Sequence, residues 1–435
     1  MIYLMITSKE QIIDYFKSGI KDNKNFKIGI EHEKFLFNIN DNTRIDYSKI
    51  KDMFSGLAEF GWKPVYEKEN IVALNKEGKN ITLEPGNQIE LSGDILNHIH
   101  EACAESQDYL FELRQVTKKL GIKIVSAGFD PISKIKDIPN NPKQRYELMT
   151  KDMPLGGEHS LDMMYRTCGT QLNVDYNSEE DFIKKFKVVN SIVPISIALF
   201  ANSSIVEKKN SGYLSYRSKV WQSTSRGGLP AIFFDNFDFE KYAEFAINFK
   251  ILFIEHEGKY ISGQKYTFKD FMDGKISEIG NRLPTESDLT THLSTIFTEN
   301  RLKKYIELRS MDACGWDCLC SGPAFNVGMI YGNLDETYDL IKDWDKDKII
   351  NAYMEAPQKG FNTQLMGKDL LYWSKTLLEL SNKGLENRDI LNKHGKNETI
   401  FLNHLNKIVE NKMTNADHMI NKFSKDENLE TLYDQ

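Results

Sequence analysis

Four short stretches of this chain alternate a charged or amide side chain with an aliphatic one. They are Gly29–Phe35 (GIEHEKF), Ile81–Gly93 (ITLEPGNQIELSG), Thr170–Asp175 (TQLNVD) and Tyr305–Ser310 (YIELRS). A period of two belongs to a strand, where successive side chains point to opposite faces. In the first stretch Glu31 and Glu33 share a face, with Cα atoms about 6.5–7 Å apart. In the second, Pro85-Gly86 breaks the strand, leaving Glu84 on one side of the kink and Gln88 and Glu90 together on the other. Ile89 and Leu91 face the opposite way, toward a core. In the third, Gln171, Asn173 and Asp175 lie opposite Leu172 and Val174. In the fourth, Glu307 and Arg309 share a face while Ile306 and Leu308 pack.

The elements between these stretches set the fold class. Ser8–Ile20 is predicted as a helix, with Ser8 as N-cap and Gln11 closing a capping box. Lys27–Asn38 is predicted as a strand, and further strands near Ile71–Leu74 and Ile81–Leu91. A long helix, His98–Leu120, stops at Gly121, and a strand follows at Ile122–Gly128. Thr170–Tyr176 is another strand. Ser178-Glu179-Glu180-Asp181 caps an apolar helix running to about Phe200 and bent at Pro194. Arg301–Met311 contains a further strand, and helices such as Asp369–Asn382 and Glu398–Lys412 dominate afterwards. The strands are not followed by regular crossover helices, so an antiparallel-rich α+β fold is expected rather than a doubly wound one. With no repeat and no low-complexity linker, residues 1–435 read as a single domain, mixed to about 345 and mainly helical over 346–435.

Bulk properties narrow the function classes. With 40% hydrophobic and 27% charged residues the chain can bury a substantial core. A net charge of -7 gives no bulk attraction for nucleic acid or anionic membrane. The longest apolar run, Ile192–Ala201, is about half the roughly 20 residues a membrane span needs. Met1–Thr7 shows no signal-peptide pattern, so a cytoplasmic protein is expected. Five cysteines, Cys103, Cys168, Cys314, Cys318 and Cys320, are an odd number for a disulfide scaffold and read as buried or incidental thiols. Cys314-x-x-x-Cys318-x-Cys320 lacks the paired C-x-x-C spacing of a zinc site.

The acidic strands carry the chemistry. Hard divalent cations take oxygen ligands, and two Glu-rich strands in one chain suit a multi-magnesium site. A solvated acidic edge strand would show the same pattern. Glu307 and Arg309 read either as an ordinary surface ion pair or as a metal ligand beside a phosphate-binding guanidinium. There is no Walker A sequence and no G-x-G-x-x-G, so a nucleotide would be held by metals and basic side chains. The basic candidates are Arg145, Arg166, Arg217, Lys219, Arg226 and Arg309. Glu255-His256-Glu257 repeats the acidic tripeptide but is followed by Gly258-Lys259, which reads as a hairpin turn. His98 and His100, two apart at a helix start, do not share a face.

The segments GIEHEKF, ITLEPGNQIELSG, Leu161–Cys168 (LDMMYRTC), Ala198–Ser203 (ALFANS), Arg217–Trp221 (RSKVW) and Tyr305–Asp312 (YIELRSMD) resemble those of the glutamate–cysteine ligases of plants and α-proteobacteria. The resemblance runs nearly end to end and in the same order. It implies a glutamine-synthetase-like fold, in which a curved, mainly antiparallel sheet flanked by helices forms the active-site funnel. It also implies ATP as substrate, two or three Mg2+ ions, and ligation of glutamate's side-chain carboxylate to the amine of cysteine, the first step of glutathione synthesis. The partners implied are small molecules, with the protein a monomer or homodimer. On this resemblance Glu31, Glu33, Glu84, Glu90 and Glu307 are the metal carboxylates, with Gln171 beside them. Arg145, Arg217 and Trp221 hold substrate, and Arg309 contacts the γ-phosphate. Cys103 and Cys320 match a family redox pair. A second regulatory cysteine pair of some plant members is absent, because Lys259–Asn281 holds no cysteine, with Ser262 and Ser277 near those positions. Two rival readings remain open at this stage: a related ligase using another amine, and a phosphotransferase on the same fold.

Overall fold

The computed structural model describes residues 5–426. The first four residues of the Met1–Thr7 stretch and the last nine of the helical C-terminal region lie outside them. The alternating stretches meet in one sheet of nine strands. These are β1 (Ile28–Asn38), β2 (Lys63–Glu67), β3 (Asn70–Lys76), β4 (Lys79–Leu83), β5 (Ile89–Ser92), β6 (Ile122–Val125), β7 (Gly169–Val174), β8 (Asn300–Leu302) and β9 (Ile306–Asp312). The order is β8-β9-β7-β1-β5-β4-β3-β2, with β6 pairing the far half of β1. Every ladder in this sheet is antiparallel. Register shifts between Leu308 and Met311 and between Val65 and Tyr66 bend it.

One face of the sheet is aliphatic. Ile28, Ile30, Leu172, Val174, Ile306 and Leu308 join the largest core, against the helices Glu179–Ser191 and Val193–Leu199. Leu36, Leu74, Ile81, Leu83, Ile89 and Leu91 pack on the helices Tyr47–Ala58 and Ile99–Lys119. Full burial of one such side chain contributes about 1.5–3 kcal/mol, so the aliphatic face fixes the register and the other face follows. His32 and Lys34 also point into this side and are buried. Burial pushes the His32 imidazole down to about 3, so it sits there neutral against Tyr109.

The local signals are realised with some changes. Ser8 and Gln11 form the capping box of the helix Lys9–Lys17, and Gly121 ends the helix Ile99–Lys119 with φ +63. The stretch Ile81–Leu91 is a hairpin rather than one kinked strand, because Asn87 takes φ +61 and its N–H closes onto Glu84 O. Arg301–Met311 likewise divides into β8 and β9, which pair with each other. The helix expected to run to Phe200 breaks between Ser191 and Val193, two residues earlier than the predicted bend. Glu398–Lys412 opens with a 3-10 turn, Glu398–Leu402, before the α-helix Asn403–Asn411. Glu255-His256-Glu257 turns a hairpin as read, with Glu257 at φ +51 and Gly258 at φ +71.

Candidate active site

Directly opposed residues of an antiparallel ladder share a face, which assembles the polar side strand by strand. Glu33 stands opposite Glu90, Glu31 opposite Gln171, Glu90 opposite Thr82, and Asn173 opposite Glu307. Glu31, Glu33, Glu90, Gln171, Asn173 and Glu307 therefore lie on one face, drawn from four strands. Glu84 joins from the β4–β5 turn, which is pinned through its carbonyls. Asn141 Nδ2 donates to Glu84 O at 2.6 Å, and Lys143 Nζ and Tyr146 Oη both donate to Leu83 O at 2.8 Å. Arg44 donates to Gly86 O while its own charge pairs with Asp130 at 2.9 Å, both side chains fully buried.

The face has two electrostatic halves. On one, Glu31, Glu33, Glu84 and Glu90 crowd together without a lysine or arginine in ion-pair contact among the described residues. Burial, and then the charge of Glu84, push Glu33 up to about 7. Burial and the charges of Glu84, Glu31 and Glu33 push Glu90 well above the carboxylate range. Burial and Glu307 raise Glu31. Neutral donors soften this only in part. Gly169 N–H reaches Glu33 Oε2 at 2.5 Å, Asn173 Nδ2 reaches Glu31 at 2.9 Å, and Ser92 Oγ reaches Glu90 at 2.8 Å.

On the other half, the fully buried Glu307 meets three cations: Arg301 at 2.6 Å, Lys303 at 2.9 Å and Arg309 at 2.6 Å. Burial alone would raise its carboxyl, but these three hold it well below the usual range. Arg309 also donates to Gln171 Oε1. Its carbonyl accepts from Arg217 Nη2 at 2.8 Å, and both guanidiniums lie over the Trp221 ring, at 5.4 and 5.3 Å. Arg217 Nε, Arg309 Nε and Trp221 Nε1 are buried donors with no acceptor among the described residues. Asp312 anchors the segment that presents Arg217. It accepts from Ser203 Oγ at 2.6 Å, Ser215 Oγ at 2.9 Å and Asn202 N–H at 2.9 Å. A Cβ at position 169 would lie 2.8 Å from Arg217 Nη2, so glycine there lets the guanidinium pass beside Glu33.

Arg145 sits at the Glu84 end, stacked at 5.0 Å on Tyr146. The remaining basic candidates do not join the site. Arg166 is tied to Asp162 at 3.0 Å, Arg226 to the carbonyls of Thr295 and Lys250 at 2.9 Å each, and Lys219 to Ser223. Sequence reading missed Arg301, Lys303 and Asp312 as members of the network. Arg301 faces Glu307 directly across the β8–β9 hairpin, whereas the sequence pattern places a single strand within Arg301–Met311.

Among the described residues no three His, Cys, Asp or Glu side chains stand arranged to grip one metal ion. The donor set still fits a hard cation, because it offers carboxylate oxygens whose mutual repulsion the neighbouring donors and guanidiniums offset only in part. Glu307 fits least well, since a metal there would compete with Arg301, Lys303 and Arg309 for its oxygens.

The cysteines differ from expectation. Cys314 and Cys318 form a disulfide, with Cα atoms 5.8 Å apart. An odd cysteine count speaks against a scaffold of several bridges, whereas one short segment after β9 suffices to bring two thiols together. Cys103 and Cys320 are free thiols in mutual contact, which lowers Cys103 and, with burial, raises Cys320. Cys168 is free and buried.

Fold and divided face together define the class: an antiparallel-sheet protein that sets a pool of carboxylates against guanidiniums on one face. The profile of the Glutamate-cysteine ligase family 2 (GCS2) matches residues 27–435, and the chain belongs to that family. Among curated proteins, the chloroplastic glutamate–cysteine ligase of Nicotiana tabacum is 39% identical over 419 residues, spanning 95% of this chain and 79% of the relative. That of Arabidopsis thaliana is 38% identical over 423 residues, 96% and 80% respectively. Among solved structures, a glutamate–cysteine ligase from Francisella tularensis in complex with AMP shares the fold, with TM-score 0.52 and 14% identity over 94% of this chain and 86% of that one. A bifunctional glutathione synthetase from Pasteurella multocida gives TM-score 0.51 and 11% identity over 98% and 52%. The α+β architecture with a mainly antiparallel sheet expected from the sequence stands, and the Francisella tularensis enzyme shares it. The cytoplasmic expectation does not: these plant relatives are chloroplastic proteins, so the lack of a signal-peptide pattern is no ground for a compartment. No helix among the described residues is long and apolar enough to cross a membrane.

Proposed function

We propose that the divided face is the catalytic site of an ATP-dependent glutamate–cysteine ligase, acting in glutathione synthesis with residues 1–435 as one catalytic unit. The observation that carries the reading is the pool of Glu31, Glu33, Glu84 and Glu90, mutually repelling and without an ion-pair partner among the described residues, lying beside Arg309 and Arg217.

A carboxylate is a poor acyl donor, so glutamate's side chain is first activated by accepting the γ-phosphoryl group of ATP. Phosphoryl transfer asks for positioning and charge neutralisation more than for a protein nucleophile. Magnesium held by Glu31, Glu33, Glu84 and Glu90, with Glu307 at the border, would neutralise phosphate charge. Arg309, steadied by Glu307 and Gln171, presents its guanidinium to the transferred group. Arg217, Trp221 and Arg145 hold substrate carboxylates, and the fixed geometry of Arg217 orients the acid for attack. The cysteine amine then displaces phosphate from the acyl phosphate, closing the amide. No thiol of the protein takes part. The protein acts on small-molecule substrates as a monomer or a homodimer.

Product analysis with ATP, glutamate and cysteine, each omitted in turn, tests the reading. γ-Glutamylcysteine should form only with all three and with magnesium. A stable phosphorylated glutamate as end product, or a strong preference for another amine, would replace it.

A further inference from the structure

The substrates of this reaction are amino acids, and each brings an ammonium group as well as a carboxylate. The sites assigned above supply guanidiniums for the carboxylate and leave the ammonium without a partner. The acids of the sheet face are poor choices for that partner, since they form the proposed cation pool or, for Glu307, are saturated by three basic groups. Asp312 is taken up by Ser203, Ser215 and the Asn202 N–H.

One further buried carboxylate lies within the electrostatic reach of Arg217. Glu299 is 3% exposed and lies in the segment leading into β8. Its carbonyl accepts the Arg309 N–H at 2.9 Å, and its own N–H donates to Gly228 O at 2.9 Å. It is thus the backbone neighbour of Arg309, whose carbonyl in turn holds Arg217. Among the described residues its one hydrogen-bond donor is the buried Tyr353 hydroxyl, 2.9 Å from Oε1, and Oε2 has none. Burial raises its carboxyl, and Arg217 leads the charges that pull it back down. Oε2 keeps some exposure and is open to a ligand, and a largely buried carboxylate is costly unless something recruits it.

We propose that Glu299 receives the ammonium of an amino-acid substrate whose carboxylate is held by Arg217. The two opposite charges would read the zwitterion as a unit. A dicarboxylate or a free amine of similar shape would satisfy only one of them, which makes Glu299 a specificity determinant. This rests on the ligase reading above. It leaves two sources for the ammonium, glutamate or cysteine.

The test is steady-state kinetics of Glu299→Gln beside wild type, with each amino acid varied separately and thermal melting recorded. Gamma-glutamylcysteine formation by wild type is established first, so failure of the ligase reading shows before the variant is made. KM for one amino acid should rise at least about ten-fold, while KM for ATP stays within about two-fold and the melting temperature holds or rises, since a desolvated charge has been removed. If it is KM for glutamate that rises, the ammonium is glutamate's; if KM for cysteine, it is cysteine's. If neither moves, or if ATP and both amino acids weaken together with a lowered melting temperature, the proposal is wrong and Glu299 is structural. Glutarate supplies a second readout. As a glutamate without its ammonium it should compete equally well in wild type and variant when the glutamate arm is affected; a parallel loss of glutarate binding would overturn that arm.

Discussion

Glu33 stands directly opposite Glu90 across the antiparallel pair β1–β5, two acids in register on the half-buried polar face of the sheet. Such a pair opposes folding unless protons or cations relieve it. The sheet tolerates it because Ile30 and Leu36 on one strand and Ile89 and Leu91 on the other fix the register from the opposite side.

Replacing either acid by its amide should separate stability from activity. Glu33→Gln keeps volume and removes charge, so ligation should fall at least about a hundred-fold. The metal-free protein should melt at the same or a higher temperature, because a repulsive charge is gone. ADP release and thermal melting without magnesium check both halves; near-normal activity would remove Glu33 from the site.

The same acids set a pH dependence. Glu33 titrates at about 7 in the folded chain against an ordinary 4.5. Between those values the folded state holds a proton that the unfolded state has lost. The stability this contributes is fully present below about 4.5 and is lost as pH rises through about 7. Magnesium binds the ionised form, so its stabilising effect should grow over the same window. Melting temperatures with and without magnesium, from pH 5 to 8, should diverge as pH rises; a constant gap would count against a cation at these carboxylates.

Arg217→Lys should cost at least about ten-fold in kcat/KM for an amino-acid substrate. An ammonium cannot reproduce the contact to the Arg309 carbonyl, the stacking on Trp221 and a bidentate carboxylate grip together. Kinetics with ATP saturating will show it, and an unchanged kcat/KM would place the guanidinium outside substrate contact.

Asp130 neutralises Arg44, which holds the turn bearing Glu84. Asp130→Ala leaves a buried guanidinium uncompensated and should destabilise by about 3–5 kcal/mol, read from urea unfolding. A loss below about 1 kcal/mol would mean that water reaches Arg44 in the variant.

Thiol counting checks the cysteine arrangement. Denatured without reductant, the protein should show three free thiols, Cys103, Cys168 and Cys320, and five after reduction. A mild oxidant should leave one, if the contact between Cys103 and Cys320 closes into a second bridge.

The sequence by itself determined which face each strand residue takes. Period-two alternation put Glu31, Glu33, Glu90, Gln171 and Glu307 on polar faces and their aliphatic neighbours in the core, and this held because burying aliphatic surface is the larger energy. It also fixed the antiparallel class, the capping box at Ser8 and the stop at Gly121, all local in cause. Only the tertiary structure decided which strands are neighbours, so only there do Glu33 and Glu90 meet, does Arg301 turn onto Glu307, and does Glu299 come beside the strand that carries Arg309. Strand order and hairpin breaks depend on contacts between residues far apart in the chain, and no periodicity within a single stretch records them. The same limit hid the Cys314–Cys318 bridge, which needs the loop after β9 to turn back on itself, and the split of basic side chains into those facing the acids and those spent on carbonyls elsewhere.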